Sequence, residues 1–397
     1  MKRNRRLLQM LIFMFLSLAL MVNLSGCGNT PSDSGGGASS GDTSWSAVST
    51  TSAPTARYGH TAVWTGSEMV VWGGTRDSAT FLNTGGKYNP TTDSWTATAT
   101  TSAPSARAGV EVWGVWTGTE MIIWGGNDVN TYFNTGGRYN PSTNSWTATT
   151  TTGAPTARVA HVAVWTGSEM IVWGGNDGNT YFNTGGKYNP TTDSWTATTT
   201  TSAPTARYAH VAVWTGTQMI VWGGGNSSSS VNTGGRYNPS TDSWTATTTT
   251  GAPTARYNYN GTPVWTGSEM IVWGGWNGPA TYFNTGGRYN PTTDSWTATS
   301  TTNAPTARQS HKAVWTGTGG VMIVWGGTPD DVTTLNTGGR YNPTTDTWSA
   351  TSTTNAPTAR YLHTAVWTGS QMIVWGGSSS ESDIATSSLN TGGRYTP

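Results

Sequence analysis

The residues of this chain that could do acid–base or metal chemistry recur at regular intervals. All five histidines lie three positions after an arginine of the motif A-P-x-A-R: His60, His161, His210, His311 and His363. A metal site would need several imidazole nitrogens within about 2.1 Å of one ion. Equivalent residues of successive repeats lie too far apart for that, unless they meet at an axis. We therefore predict no metal site and no cofactor.

The sequence contains none of the common catalytic motifs. No glycine-rich phosphate loop follows a predicted strand, and neither H-E-x-x-H nor G-x-S-x-G occurs. Glu111 is an acid with no equivalent in the other repeats, and one acid is a weak basis for acid–base catalysis. We therefore expect a protein that is not an enzyme.

The only cysteine, Cys27, ends an N-terminal targeting segment. Basic residues within positions 2–6 precede an apolar stretch over 7–22, and Leu24-Ser25-Gly26 stands directly before Cys27. The pattern resembles the signal peptide of bacterial lipoproteins. This resemblance implies that residues 1–26 are removed and that the Cys27 sulfur carries lipid. The alternatives are an ordinary secretory signal and an uncleaved transmembrane helix.

Residues 27–43 are interpreted as the lipidated cysteine followed by a flexible tether. The tether is rich in glycine and serine, which favour a random coil. Gly28 follows the cysteine, in place of the aspartate associated with retention in an inner membrane. We therefore expect a lipid-anchored protein of the cell envelope, in an outer membrane or at the cell surface rather than in the inner membrane.

The distribution of charge argues against a nucleic-acid partner. Four of the 20 lysines and arginines lie in the first six positions, so the remainder has 16 basic and 19 acidic residues, a net charge of −3. Nucleic-acid-binding domains need a clustered basic face.

Two motifs repeat seven times, at intervals of 49–52 residues. The arginine of A-P-x-A-R recurs at Arg57, Arg107, Arg158, Arg207, Arg256, Arg308 and Arg360, and W-G-G begins at Trp72, Trp124, Trp173, Trp222, Trp273, Trp325 and Trp375. A period near 50 residues is typical of four-stranded propeller blades. In the third unit, β-branched and aromatic residues predict strands over 161–165, 170–173, 186–188 and 194–198.

The two ends of the chain predict how the propeller closes. The seventh unit stops at Pro397, after its third strand, so its fourth strand is missing. Residues 43–48 precede the first unit and resemble a fourth strand, with Trp45 in the position that Trp95 holds in the first unit. We therefore predict an all-β, seven-bladed propeller over residues 44–397, with its last blade closed by the N-terminal strand.

The motifs R-x-x-H, a second strand ending in Gly-Gly, and Y-N-P-x-T-x-x-W together resemble the kelch repeat over residues 44–397. One departure is asparagine where many kelch units have aspartate in Y-D-P, and both residues suit a turn. The resemblance implies a kelch-type β-propeller. Some kelch propellers are copper oxidases with a Cys–Tyr crosslink, but the only cysteine here is assigned to lipid. Others are sialic-acid mutarotases, so a carbohydrate-active enzyme of that kind, with Glu111 as its acid, is the alternative function.

Residues that recur in every unit are interpreted as scaffold. Of the 23 tryptophans, 21 occupy three recurring positions, and we expect them to pack between blades. Trp113 and Trp276 are the exceptions, and Trp276 is a candidate for exposed stacking. The seven motif arginines are expected to bond carbonyl groups or stack on rings within their blades, because seven unpaired cations would repel each other.

The segments between Gly-Gly and N-T-G-G vary from unit to unit, and repeat equivalence places them on one face. Their charged residues are Arg76, Asp77, Asp128, Asp177, Asp330, Asp331, Glu381 and Asp383, a net charge of −6. In related kelch domains the ligand mouth includes the residue after the motif arginine, which here implies Tyr58, Tyr208, Tyr257 and Tyr361. We predict a binding or scaffolding module that recognises an unknown protein, peptide or glycan through this face. A second hypothesis is Ca²⁺ binding by paired carboxylates such as Asp330 and Asp331.

Overall fold

The chain folds into seven four-stranded antiparallel sheets. The computed structural model describes residues 44–109, 114–226, 228–258, 261–278, 281–380, 382–383 and 386–397. Within these ranges there are 28 β-strands and no helix, and each sheet is built from four strands that pair in chain order or by closure of the ends. The predicted all-β class and the number of blades are therefore confirmed.

Each blade has an inner first strand, two middle strands and an outer fourth strand. The first strands are β2 (Thr61–Trp64), β6 (Val115–Trp116), β10 (Val162–Trp165), β14 (Val211–Trp214), β18 (Val264–Trp265), β22 (Lys312–Trp315) and β26 (Thr364–Trp367). The second strands are β3 (Met69–Trp72), β7 (Met121–Trp124), β11 (Met170–Trp173), β15 (Met219–Trp222), β19 (Met270–Trp273), β23 (Met322–Trp325) and β27 (Met372–Trp375). The third strands are β4 (Gly85–Asn89), β8 (Gly136–Asn140), β12 (Gly185–Asn189), β16 (Gly234–Asn238), β20 (Gly286–Asn290), β24 (Gly338–Asn342) and β28 (Gly392–Thr396). The fourth strands are β5 (Ser94–Ala97), β9 (Ser145–Ala148), β13 (Ser194–Ala197), β17 (Ser243–Ala246), β21 (Ser295–Ala298), β25 (Thr347–Ala350) and β1 (Ser44–Ala47).

The N-terminal strand closes the last blade, as the sequence predicts. Strand β1 pairs antiparallel with β28, with Trp45 opposite Tyr395 and Ala47 opposite Gly393. The first strands of neighbouring blades contact each other in an unbroken cycle, and β26 meets β2 to complete it. The propeller is therefore a closed ring, and each of its seven sheets has its outer strand.

The hydrophobic core lies between blades rather than within one sheet. Between the third and fourth blades, Ile171 and Trp173 of one pack against Met219, Val221 and Trp244 of the other. The Trp173 and Trp244 rings lie 5.2 Å apart. The tryptophans of the second and fourth strands are buried, while those that end the first strands are partly exposed and pack against the edges of these clusters. Inter-blade packing of the 21 recurring tryptophans is thereby confirmed.

The Gly-Gly after each second strand is required by close approach of the backbone. Gly175 has φ of 88°, and a Cβ placed there would lie 2.5 Å from the Val159 carbonyl oxygen. An L-residue would therefore be strained and would also clash. Because glycine has no Cβ, the backbone after the second strand can pack directly on the segment that follows the motif arginine.

At the end of the blades away from the Gly-Gly turns, hydrogen bonds between polar groups also join one blade to the next. The Arg138 guanidinium donates to the Pro190 carbonyl at 2.6 Å, and Arg394 of the last blade donates to Pro90 of the first at 2.8 Å. Asp193 accepts from the Tyr188 hydroxyl at 2.6 Å and from the Thr150 amide of the preceding blade at 3.0 Å. Most other blades repeat one or both kinds of bond.

The described residues include no helix of the length and apolar character needed to cross a bilayer.

Acid should weaken the propeller through the aspartates that join neighbouring blades. Burial is the largest influence on Asp93, Asp193, Asp242 and Asp294 and raises their pKa, but hydrogen bonds from the tyrosine hydroxyl and the neighbouring amide, with nearby basic side chains, outweigh it. Their pKa therefore lies below the unfolded value of about 3.9. Such groups stabilise the fold above that pH, and this contribution is lost as the pH falls through the folded pKa.

The second blade provides the matched control, because Asn144 already holds the equivalent position. Its Oδ1 accepts from the Tyr139 hydroxyl at 2.7 Å and from the Ala99 amide at 2.8 Å. We expect the quadruple variant, with asparagine at positions 93, 193, 242 and 294, to show a smaller fall in melting temperature between pH 5 and pH 2.5 than the unmodified chain. Circular dichroism melts would measure it, and an equal fall in both proteins would contradict the assignment.

Candidate functional site

The variable segments lie together on one face of the propeller. In each blade an isolated bridge joins the residue after the motif arginine to the start of the variable segment, as Tyr208 is joined to Gly225. In most blades a second bridge leads on to the end of that segment, as from Gly225 to Ser230. We call the surface formed by these bridged residues and the segments between Gly-Gly and N-T-G-G the loop face.

Beneath the loop face, the seven motif arginines are buried and fully engaged by neutral acceptors. The Arg158 Nε donates to the Thr156 carbonyl at 2.8 Å, and its Nη1 donates to the carbonyls of Gly174 and Thr184 at 2.9 and 2.8 Å. Its Nη2 donates to the Thr184 hydroxyl at 3.0 Å. The other six arginines repeat this pattern, and three of the seven also stack on a phenylalanine ring.

The same arginines connect neighbouring blades through their main chain. The Arg158 amide donates to the Phe133 carbonyl, and the Arg158 carbonyl accepts from the Gly126 amide, both in the preceding blade. Burial lowers the pKa of Arg158 to about 10, so the guanidinium remains charged at neutral pH. The predicted scaffold role is therefore confirmed.

The five histidines are buried between blades and are neutral at physiological pH. His161 meets the edge of Trp124 with ring centroids 5.5 Å apart, and the other four make the same contact with the preceding blade. Burial and the charge of Arg158 lower the pKa of His161 to about 3. Among the described residues, no group of three or more His, Asp or Glu side chains is placed to hold a metal ion.

Most loop-face aspartates close the turns of their own segments. Asp330 accepts from the amides of Val332 and Thr333, and Asp77, Asp128 and Asp177 make equivalent bonds. Burial raises the pKa of Asp330, but these amide bonds outweigh it and hold the pKa below its usual value. Arg76 is exposed beside Asp77.

Asp331 differs from its neighbour because its carboxylate bonds side chains of other segments. Its carboxylate accepts from Gln309 Nε2 at 2.7 Å and from the Tyr282 side chain, and burial raises its pKa. Asp330 and Asp331 therefore have different hydrogen-bond partners, and Ca²⁺ binding by the two carboxylates stays a prediction. With Glu381 outside the described residues, the described loop-face charges are Arg76 against six aspartates, a net charge of −5.

Three of the four predicted tyrosines are not exposed. Tyr58, Tyr257 and Tyr361 are 6%, 8% and 3% exposed, and only Tyr208 is partly open to solvent. The Tyr257 hydroxyl donates to the Asn226 carbonyl at 2.7 Å, and the Tyr58 hydroxyl bonds Ser78. Tyr257 thus contacts the variable segment of the preceding blade and Tyr58 that of its own, while Tyr361 packs with Tyr58 and Leu362. The binding role of these tyrosines stays a prediction.

The structure instead joins aromatic rings from three blades. Tyr181 and Tyr208 have centroids 5.2 Å apart, Tyr208 and Tyr257 5.7 Å, and Tyr257 and Trp276 5.4 Å. We call these four residues the aromatic arc. Trp276 is partly exposed, consistent with the predicted stacking role. Sequence reasoning missed Tyr181, although the string T-Y-F in three of the seven variable segments is a signal for it.

Comparison with models of protein families shows which family this chain belongs to. The family model described as the KLHDC2/KLHL20/DRC7 Kelch-repeats domain matches residues 114–302 and 260–391, which together exceed two thirds of the chain. The chain belongs to the kelch-repeat family. The model described as the Attractin/LZTR1 beta-propeller matches residues 39–185 of this kelch protein. A comparison with curated proteins gives no significant match. Kelch propellers generally mediate protein interactions, and the loop face is where this one differs from blade to blade.

Three predicted features lie outside the described residues. They are the signal peptide with its tether and Cys27 at 1–43, Glu111, and Trp113.

Replacing a motif arginine by lysine should destabilise this kelch propeller. In Arg158→Lys one ammonium cannot reach the four acceptors that the guanidinium fork holds, which leaves buried carbonyls without donors. We expect a loss of about 2 kcal/mol or more in the free energy of unfolding, from urea titration. Arg138→Lys is the control, because Lys87 and Lys187 already occupy the equivalent strand position with a single carbonyl contact. Equal losses in the two variants would contradict this role.

Proposed function

We propose that this chain is a membrane-anchored, extracytoplasmic kelch propeller that binds a protein or glycan partner through its loop face. Membership of the kelch family supports a protein-binding module. The observation that carries the choice of face is the position of the residues that do not repeat. They are concentrated on one end of a scaffold whose motif arginines, histidines and recurring tryptophans are engaged in contacts within and between blades.

The other end of the propeller is a poorer candidate because it repeats from blade to blade. Its turns carry T-G-S-E or a close variant and N-P-x-T, and their polar groups bond within the turn or to the next blade. A surface with a recurring pattern offers several similar sites, whereas specific recognition needs a single arrangement. The aromatic arc lies on the loop face alone, over blades three to five.

The anchor is supported by the targeting segment and by the position of Cys27 directly after Leu24-Ser25-Gly26. Placement in an outer membrane or at the cell surface follows from Gly28, and a tether rich in glycine and serine would let the propeller reach its partner.

Fatty-acid labelling in a bacterial host tests the anchor. We expect the chain to incorporate labelled palmitate and to sediment with membranes, because the Cys27 sulfur would be acylated. The Cys27→Ser variant should carry neither the label nor the added mass of the lipid. A Cys27→Ser variant that remains in the membrane would favour a transmembrane helix, and one that remains labelled would contradict lipidation at this residue.

Capture from an envelope extract, with a glycan array in parallel, tests binding through the loop face. The full chain purified in detergent is compared with two matched variants of blades two and three. Asp128→Asn with Asp177→Asn alters the loop face, and Glu120→Gln with Glu169→Gln removes the same charge at the opposite end. We expect Trp276→Ala to weaken retention of the partner or glycan at least fivefold and the glutamate pair to leave it unchanged. The aspartate pair measures the contribution of the net charge of the face, because Asp128 and Asp177 already accept the amides of their own turns. Equal retention by all variants would reject the loop face.

A further inference from the structure

Blades five and six bring a carboxylate and a buried amide together at the end of the aromatic arc. Trp276 pairs with Tyr282 across a bridge, the Tyr282 side chain bonds Asp331, and Asp331 accepts from Gln309 at 2.7 Å. A main-chain bridge followed by a side-chain hydrogen bond therefore links Trp276 of the aromatic arc to a carboxylate in blade six. The inference below rests on the proposed binding through the loop face.

The orientation of the Gln309 amide follows from its partner. A carboxylate at neutral pH only accepts hydrogen bonds, so Gln309 must present its Nε2 to Asp331 and turn its Oε1 elsewhere. Gln309 is 8% exposed, and its Oε1 is buried without a hydrogen-bond partner. The Thr328 hydroxyl, on the residue bridged to Gln309, is also buried without a partner.

Equivalent positions in other blades satisfy their own polar atoms. The Thr75 hydroxyl donates to the Thr80 carbonyl at 3.0 Å, and the Ser378 hydroxyl donates to the Ser380 carbonyl at 2.8 Å. Asn258 of blade five also has a buried amide oxygen without a partner, but in blade six the unsatisfied acceptor belongs to a side chain that bonds a partly buried carboxylate. Buried acceptors are normally bonded, so this site lacks a donor that a ligand could supply.

The chemistry around these atoms selects a cation. The described part of the loop face has a net charge of −5. Tyr181, Tyr208 and Trp276 are partly exposed, and the faces of aromatic rings attract guanidinium and ammonium groups. A planar guanidinium can stack on a ring while its fork donates to a carboxylate and a second acceptor.

We propose that the loop face binds an arginine side chain of a protein partner, with the guanidinium against Trp276 and the aromatic arc and its N–H groups donated to Asp331 and Gln309 Oε1. Asp330 takes no direct part, because its oxygens already hold the amides of its own turn. The two neighbouring aspartates therefore carry the same charge with different roles, which gives the experiment its control.

Calorimetric titration of the full chain in detergent tests the proposal. The probe is a capped nine-residue peptide, Gly-Ser-Arg repeated three times, compared with the peptide in which citrulline replaces arginine. Citrulline keeps the shape and removes the charge. We expect the arginine peptide to bind at least tenfold more tightly than the citrulline peptide. Equal affinity for both would overturn the proposal, as would no binding of either.

Variants then separate a built site from diffuse attraction. Asp331→Asn should weaken binding of the arginine peptide at least tenfold, and Asp330→Asn should change it less than twofold. Gln309→Met, of similar volume, should weaken it at least fivefold, and thermal melts of each variant would establish that it is folded. Equal losses in the two aspartate variants would show that only net charge matters and would overturn the site.

The same variants distinguish this inference from the proposed function. If the captured partner is lost with the loop-face variants but no arginine peptide binds, binding through the face stands and the arginine site falls. If a neutral oligosaccharide binds and its binding is lost in Asp331→Asn, the ligand is a glycan and the arginine proposal is wrong. If no loop-face variant affects capture, the proposed function itself fails.

Discussion

A buried arginine in each blade, whose main chain also bonds the blade before it, determines how the rest of this propeller is arranged. A charged group taken out of water is unfavourable unless neighbouring acceptors surround it. Arg158 meets that requirement with carbonyls at both ends of the variable segment of its own blade, while its main chain bonds the blade before it. The start and the end of every variable segment are thus held at the same place in all seven blades, whatever lies between them.

The variable segments above this layer must therefore stabilise themselves. An aspartate or asparagine at the start of a segment does so by accepting from amides two and three residues later, as Asp177 and Asn226 do. Much of the acidity of the loop face is a consequence of this turn chemistry. Asp331 is different, because its carboxylate bonds side chains of other segments. It is therefore a better candidate for contacting a ligand than the aspartates that close turns.

The scaffold was predictable because each blade is a repetition of the others. The period near 50 residues indicated the blade, and the fourth-strand pattern around Trp45 predicted closure, which the Trp45–Tyr395 pair confirms. The scaffold role of the arginines also followed from their recurrence. Exposure was less predictable: Tyr58, Tyr257 and Tyr361 lie at the predicted positions but are covered. The residues that cover these tyrosines are tens of positions away along the chain, so no local sequence pattern predicts that the tyrosines are buried.

Sequence by itself determined the features that depend on short-range chemistry: strand alternation, turns at asparagine and proline, the count of blades and the strand that closes them. Only the tertiary structure decided which side chains meet across blades. It gave Asp330 and Asp331 different hydrogen-bond partners, joined Tyr181 to Trp276 through two intervening rings, and left Gln309 Oε1 buried without a donor. The physical reason is that the core and the loop face are both built between repeats, from residues that the ring brings together and the chain keeps apart.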